Sequence, residues 1–455
     1  MTPWAVSATA GIPRSAALWT SRLIRPAPSS REYSVWLWRW TKLFGAWGIL
    51  GIVGGGPRGS RVYARGTILK PLPPLSAGPA EMSHSGIREI SNIAISRPGT
   101  IRLDVGQPNF RTPDHIGEAG KRAIDEGYTF YTHTQGLIGL RERLVAKIQR
   151  VNGYTVTPEQ IASASGGVGA IAAAMAAILE PGDEVLLPDP GWPNYRMMPP
   201  WLGAHSVFYP LLAGADFLPD LERLQALVSP RTRILVINSP GNPTGAVYPR
   251  SVIEQLADFA VRHDLWLISD ECYDQIVFEG EAVSPASFLD DGRVISVYTF
   301  SKTYSMTGWR LGYAVGEPGV IDTMTKVLES NTSGPSTIAQ KAAEAALDGP
   351  QDCVTEMVAA YSHRRDIAVE LLEEAGQLVS VPQGAFYIMA AVSKAGMNAR
   401  DFALKLVAER GVSVAPGTAF GKVGSSFVRI SLASSDEDLR EGISRLAEAV
   451  RDFGT

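Results

Sequence analysis

A chain of 455 residues, 45% hydrophobic and 19% charged, is long enough for two packed domains, or one large domain with a satellite, and has the composition of a globular protein. Its net charge of −4 gives no reason to expect nucleic acid or another polyanion as partner. Two cysteines far apart, Cys272 and Cys353, make no disulfide framework. Six scattered histidines, without HExxH or Cys/His pairs at ligand spacing, argue against a metal site.

In chain order, a leader comes first. Residues 1–81 hold ten Lys/Arg and two acids, Glu32 and Glu81, so they carry +8 and leave −12 on the remaining 374 residues. Six of the ten tryptophans fall in the first 47 residues. The apolar run Leu43 to Val53 is too short for a bilayer span, which needs about 20 apolar residues. An Arg-rich, acid-poor leader suits an organellar transit segment, and Lys42 to Gly56 imitates a signal-peptide core. The simplest reading starts translation at Met82, with residues 1–81 disordered or absent from the mature protein. That reading expects a cytoplasmic protein whose intact mass begins at Met82, with organellar targeting as the open alternative.

From Met82 onward, helical and strand signals alternate, which argues for an α/β architecture. Thr112-Pro113-Asp114 predicts a helix start with Thr112 as N-cap. Gly169 to Leu179 is Ala-rich and apolar nearly all round, so it reads as a buried helix stopped by Pro181-Gly182. Four apolar runs follow: Glu184 to Leu187, Ile234 to Asn238, Leu265 to Ser269 and Val294 to Phe300. Runs apolar on both faces suit a mostly parallel sheet covered by helices. In such sheets ligands gather at the C-terminal strand ends, which points to Asn242, Asp270 and Lys302. From about residue 330, long amphipathic helices and short strands at Ala385 to Ala391 and Phe427 to Leu432 predict a second, smaller domain.

Three of these strand ends deliver an amide, a carboxylate and an amine. Asn238-Ser-Pro-Gly-Asn242-Pro-Thr-Gly245 is a rigid loop carrying Asn242. Ser269-Asp270-Glu-Cys-Tyr273 sets an acid and a phenol three apart. Thr299-Phe-Ser301-Lys302 runs on to Arg310, eight residues past the lysine. A desolvated lysine at a strand mouth is a nucleophile able to form a Schiff base. A carboxylate facing a pyridine nitrogen keeps it protonated and makes the ring an electron sink. An amide and a phenol near a ring hydroxyl favour the phenolate. An arginine beside small hydroxyl residues and a Gly-rich helix start is a phosphate clamp. Taken singly, Lys302 or Arg310 is most simply a solvated charge; in this order on successive strand ends they make one machine.

With these motifs the sequence resembles the class I/II aminotransferases of pyridoxal-phosphate (PLP) fold type I, from about Ile101 to the C-terminus. Ser301-Lys302-Thr-Tyr-Ser-Met-Thr-Gly-Trp-Arg310-Leu-Gly312 and Asn238 to Gly245 carry the resemblance. It implies an α/β fold: a large domain with a mostly parallel sheet flanked by helices, plus a smaller α/β C-terminal domain. The division would be 82–127 as an N-terminal arm contributing to the small domain, 128–328 as the large PLP-binding domain and 329–455 as the small domain. It also implies that Lys302 forms the cofactor imine and shuttles the proton, and that Asp270 pairs with the pyridine nitrogen. Asn242 and Tyr273 then bond the ring oxygen. Thr299, Ser301 and Arg310 hold the phosphate, joined by backbone amides of Gly166, Gly167 and Val168. Trp192 stacks on the ring. Tyr131 reaches the phosphate of a neighbouring subunit, so the active unit is at least a homodimer. Gly106 brings its backbone to the substrate, and Arg429 forks the α-carboxylate. The implied reaction is ping-pong transfer of an amino group between an L-amino acid and a 2-oxo acid.

The pattern departs from some aspartate-using relatives at Val168, where they carry a lysine for the substrate's side-chain carboxylate. Val168 weakens aspartate and shifts the expectation to neutral or aromatic side chains, unless a basic residue from the partner subunit substitutes. Cys272 reads as a small buried residue with nothing beside it to make a thiolate. Three rivals stand beside this reading. Gly167-Val-Gly169-Ala-Ile-Ala172 with Asp189 imitates a dinucleotide site, but its leading strand, Ile161 to Ala164, is poor and the Asn242, Asp270, Lys302, Arg310 series goes unexplained. A PLP-binding transcription regulator needs a winged helix that residues 1–81 do not pattern. A lyase or cyclopropane-forming synthase would use the same fold and cofactor.

Overall fold

The apolar runs become adjacent strands in the computed structural model, which describes residues 72–454, Ser83 apart. The expectations for residues 1–71 lie outside the described residues. Ala77–Glu81, the end of the basic leader, forms a short helix.

The unit Leu75–Thr455 holds two sheets. The strands in chain order are β1 (Ile101–Leu103), β2 (Ile161–Ala164), β3 (Glu184–Asp189), β4 (His205–Pro210), β5 (Thr232–Asn238), β6 (Trp266–Asp270), β7 (Val294–Thr299), β8 (Gly312–Val315), β9 (Tyr387–Ala391), β10 (Val412–Pro416) and β11 (Phe427–Ser431). The larger sheet has the order β2-β8-β7-β6-β5-β3-β4. The β7-β6-β5-β3-β4 pairs are parallel, and β8 runs against both of its neighbours. The smaller sheet has the order β1-β10-β11-β9. Both sheets and their helices give the α/β, fold-type-I architecture that the motifs implied. β3 and β6 are buried almost throughout, as strands covered on both faces must be.

The Ala-rich segment forms a helix over Gly166–Ile178, three residues earlier than its apolar run. Gly166 sits at φ +79°, a conformation glycine adopts without penalty and which turns the chain from β2 into the helix. Ile171 and Met175 are fully buried from this helix against strand residues such as Val236, Ile268 and Val297. Truncating Ile171 to alanine should cost about 2–5 kcal/mol by cavity formation.

Two expectations are corrected. The helix expected from Thr112 spans Asp114–Asp125 with Pro113 at the N-cap. The Thr112 hydroxyl is taken by tertiary contacts instead: it donates to the Ser305 carbonyl at 2.8 Å and accepts from Trp309 Nε1 at 3.1 Å. Ile161–Ala164, poor as a strand by sequence, is the edge strand β2. Its partner β8 supplies the ladder that local propensity could not foretell. The dinucleotide reading still fails. In that motif the strand after the helix lies near the first, whereas four strands separate β2 from β3. Among the described residues no helix is long and apolar enough to cross a membrane.

Candidate active site

Strand register brings the sequence motifs together. β5, β6 and β7 are parallel neighbours, with Asn238 opposite Asp270 and Asp270 opposite Val297. Their C-terminal ends therefore open side by side into one cavity of about 1550 Å³. Asp270 is the last residue of β6, and Lys302 lies in the short helix Phe300–Thr303 that follows β7. Both line the cavity, as do Asn242, Tyr273, Trp192 and Arg429.

One end of the cavity is a cradle for an anion. The N-terminus of the Ala-rich helix faces it through Ser165, Gly167 and Val168, and free N–H groups there favour negative charge. Arg310, with φ +55°, donates to the carbonyls of Thr307 at 3.0 Å and Ser165 at 3.2 Å. A Cβ on Gly166 would lie 2.7 Å from Arg310 Nη2, and one on Gly167 would lie 2.8 Å from Cys272 Sγ. Thr299 Oγ1 accepts from the Ser301 amide at 3.2 Å and shares a hydrogen bond with its hydroxyl at 3.0 Å.

The middle holds the acid and the amine. Asp270 is 5% exposed. Burial pushes its carboxyl up from the ordinary range, while hydrogen bonds from Cys272 and Tyr195 and the charge of Lys302 pull it back. The Tyr195 hydroxyl donates to Asp270 Oδ2, and the Cys272 amide donates to Oδ1 at 3.1 Å. Lys302 Nζ donates to the Gly106 carbonyl at 2.6 Å. Trp192 meets Tyr195 edge to face at 5.4 Å. Burial raises the Cys272 thiol well above its usual value, which agrees with an inert side chain.

The far end is built around a buried guanidinium. Arg429, on β11, is 2% exposed. It donates to Asn242 Oδ1 at 2.9 Å and to the Asp104 carbonyl at 2.7 Å, and Nε has no partner. Among the described residues no carboxylate pairs with it. A buried charge without a counter-ion is costly; this one rests over the faces of Tyr387 at 4.2 Å and Phe420 at 5.1 Å. Tyr387 bonds Tyr273 hydroxyl to hydroxyl at 2.9 Å. A Cβ on Gly106 would lie 2.9 Å from the Tyr387 hydroxyl, so glycine keeps this approach open.

Residues 98–446 match the family described as aminotransferase class I and II. The chain belongs to that family. It is 41% identical over 353 residues to the aspartate/prephenate aminotransferase of Thermus thermophilus, covering 77% of this chain and 91% of that one. It is 36% identical over 373 residues to the aromatic-amino-acid aminotransferase 2 of Thermococcus litoralis, covering 81% and 96%. Among solved structures, the Thermus thermophilus aspartate aminotransferase with maleate matches with a TM-score of 0.80 at 39% identity, covering 83% of this chain and 100% of that one. The protein is thus an aminotransferase of a family that is generally PLP-dependent.

Of the residues expected at an aminotransferase site, Gly106, Gly167, Val168, Trp192, Asn242, Asp270, Tyr273, Thr299, Ser301, Lys302, Arg310 and Arg429 line the one cavity. Gly166 is outside that lining and lies against Arg310. Tyr131 stands apart, 92% exposed beside Phe130 at 80%. Three further residues were not singled out by sequence. Tyr195 holds Asp270, and its place in the first turn of the helix Pro193–Trp201, just after Trp192 at the N-cap, was the available signal. Asn238, within a quoted motif, accepts from the Asn242 amide at 2.8 Å and donates to the Asp270 carbonyl at 2.9 Å. Tyr387 lies 114 residues from Tyr273, and no local pattern marks it.

Proposed function

We propose that this protein is a PLP-dependent aminotransferase that moves an amino group between an L-amino acid and a 2-oxo acid, and that residues 128–328 carry the cofactor between an arm and a smaller domain. The observation that carries the reading is one cavity lined by an amine, a buried carboxylate and a buried guanidinium that has no carboxylate partner among the described residues.

The residues present fit the cofactor. Gly166 and Gly167 leave open the space a Cβ would fill beside Arg310 and Cys272, and Thr299, Ser301, Arg310 and the amides of residues 166–168 form a donor set for a phosphate. Trp192 would flank the ring, Asp270 would meet its nitrogen, and Asn242 and Tyr273 would meet its oxygen. When bound, PLP supplies an aldehyde and a ring able to accept the electron pair of the substrate Cα–H bond. Lys302 Nζ is the group that takes the proton from the substrate Cα and gives it back on the other side of the transfer. Arg429 orients the substrate by its α-carboxylate in a planar, two-pronged contact, while Gly106 lets that substrate lie close. Burial of Tyr273, and then its neighbour Tyr387, raises the phenol well above its usual value, against the pull of Arg429, so it stays a hydrogen-bond donor.

The exposed aromatic side chains of Phe130 and Tyr131 fit an interface with a second copy, in which Tyr131 reaches the partner's phosphate. The test of the main reading is a half-reaction. The yellow holoenzyme is mixed with single amino acids and the imine absorbance is followed. Its loss, with one equivalent of oxo acid, is expected; release of ammonia or of a side-chain fragment would overturn transamination.

A further inference from the structure

We infer that Arg88 recognises the distal carboxylate of a dicarboxylic amino acid or oxo acid, the task that Val168 cannot perform. This rests on the aminotransferase reading above. The lysines and arginines lining the cavity are Arg88, Lys302, Arg310 and Arg429. Three of them have tasks in that reading: Lys302 as the amine, Arg310 at the phosphate and Arg429 at the α-carboxylate. Among the described residues Arg88 is the lining cation left over. Among the described residues its exposed guanidinium has no hydrogen-bond, ion-pair or ring partner. The adjacent acid, Glu89, is already paired with Arg400 at 2.5 Å.

The position of Arg88 fits the task. It lies in the helix Gly86–Ile95, one turn before Ser91, so the two share a helix face. The Ser91 hydroxyl donates to the Asp104 carboxylate, and the Asp104 carbonyl accepts from Arg429 Nη2 at 2.7 Å. The face bearing Arg88 is thereby tied to the α-carboxylate end of the cavity. Neither lining acid opposes an incoming second carboxylate. Asp104 is paired with Arg102 at 2.7 Å, and Asp270 is held by Tyr195 and Cys272. A second guanidinium lining the cavity that holds Arg429 suits a substrate with two carboxylates. A long side chain on an exposed helix face also has room to swing aside for an uncharged substrate.

The holoenzyme and its Arg88→Gln and Arg88→Lys variants test this by single-turnover reaction with L-aspartate and L-phenylalanine. Arg88→Gln should lower the efficiency with aspartate by about 10- to 100-fold, the worth of a hydrogen-bonded charge, mainly through the saturation constant. Phenylalanine should stay within about threefold, and Arg88→Lys should fall between. Binding of succinate and of butyrate, read from cofactor absorbance, gives a measure free of turnover. Wild type should prefer succinate, lose that preference as salt rises, and lose it in Arg88→Gln. Equal losses with both donors, an unchanged aspartate rate, or no preference for succinate in wild type would each overturn the assignment. If no amino acid converts the wild type, the aminotransferase reading itself fails. A wild type that uses phenylalanine but ignores aspartate and succinate sinks the Arg88 assignment alone.

Discussion

Replacing Tyr195 by phenylalanine tests how the buried acid is kept ionised. Tyr195 is 2% exposed and its hydroxyl donates to Asp270 Oδ2. Phenylalanine fills the same space and keeps the edge-to-face contact with Trp192 at 5.4 Å, so packing changes little. What is lost is one hydrogen bond to a buried charge, worth about 1.5–3 kcal/mol. Burial already pushes Asp270 upward, and Tyr195 is among the groups that pull it down. Without Tyr195 the carboxyl rises further, and the ionised form is reached only at higher pH. The assay is kcat/KM from pH 5 to 9 for the holoenzyme and variant. The acidic limb should move to higher pH, with a loss of roughly tenfold to a hundredfold on that limb that shrinks toward alkaline pH. A loss of the same size at every pH, or no loss beyond twofold, would refute the assignment of Tyr195 as the residue positioning Asp270.

Three more outcomes are expected. Lys302→Ala should lower turnover by several orders of magnitude in steady-state assays, with part of the rate returned by added methylamine; residual activity within tenfold of wild type would contradict a proton carrier at this atom. Gly166→Ala places a methyl group 2.7 Å from Arg310 Nη2 at φ +79°. Equilibrium dialysis should find cofactor affinity at least about tenfold weaker, and unchanged affinity would remove Gly166 from the cradle. Glu271, next to Asp270, is raised by burial to about 7 from 4.5, against hydrogen bonds from Tyr298 and Ser284. The folded protein then holds a proton that the unfolded chain releases between about pH 4.5 and 7. Stability falls as pH rises through that window, by about 3 kcal/mol. Glu271→Gln lacks this slope, so its melting temperature relative to wild type should climb from pH 5 to 8; a constant difference would show that Glu271 does not titrate there.

The parts of the site carried by short motifs were legible in the sequence. Asn242, Asp270 and Lys302 each come after an apolar run whose both-face burial marks a strand, and the rule about strand ends does the rest; Arg310 was legible from the motif that runs on from Lys302. Arg429 could be placed only by resemblance, since Phe427 to Leu432 alone reads as an ordinary strand bearing one charge. Tyr387 was invisible because its role is a hydroxyl contact with a residue far away in sequence. The Thr112 cap was misread for the same kind of reason. A cap is a local rule, and Trp309 and Ser305 outbid it from a distant segment. β2 shows the converse: weak local propensity, rescued by its ladder with β8.

The hydrogen bond from Arg429 to the Asp104 carbonyl joins residues 325 positions apart. Closing a contact of that span loses chain entropy before the contact repays it, so it is expected to form late in folding. The end of the cavity around Arg429, proposed above to bind the substrate carboxylate, therefore needs residues from both ends of the described chain. A nascent or clipped chain lacking its final strand would hold the lysine and the acid yet be unable to grip a substrate. On refolding, regain of succinate binding is expected to lag the return of far-UV circular dichroism; simultaneous recovery would contradict this order.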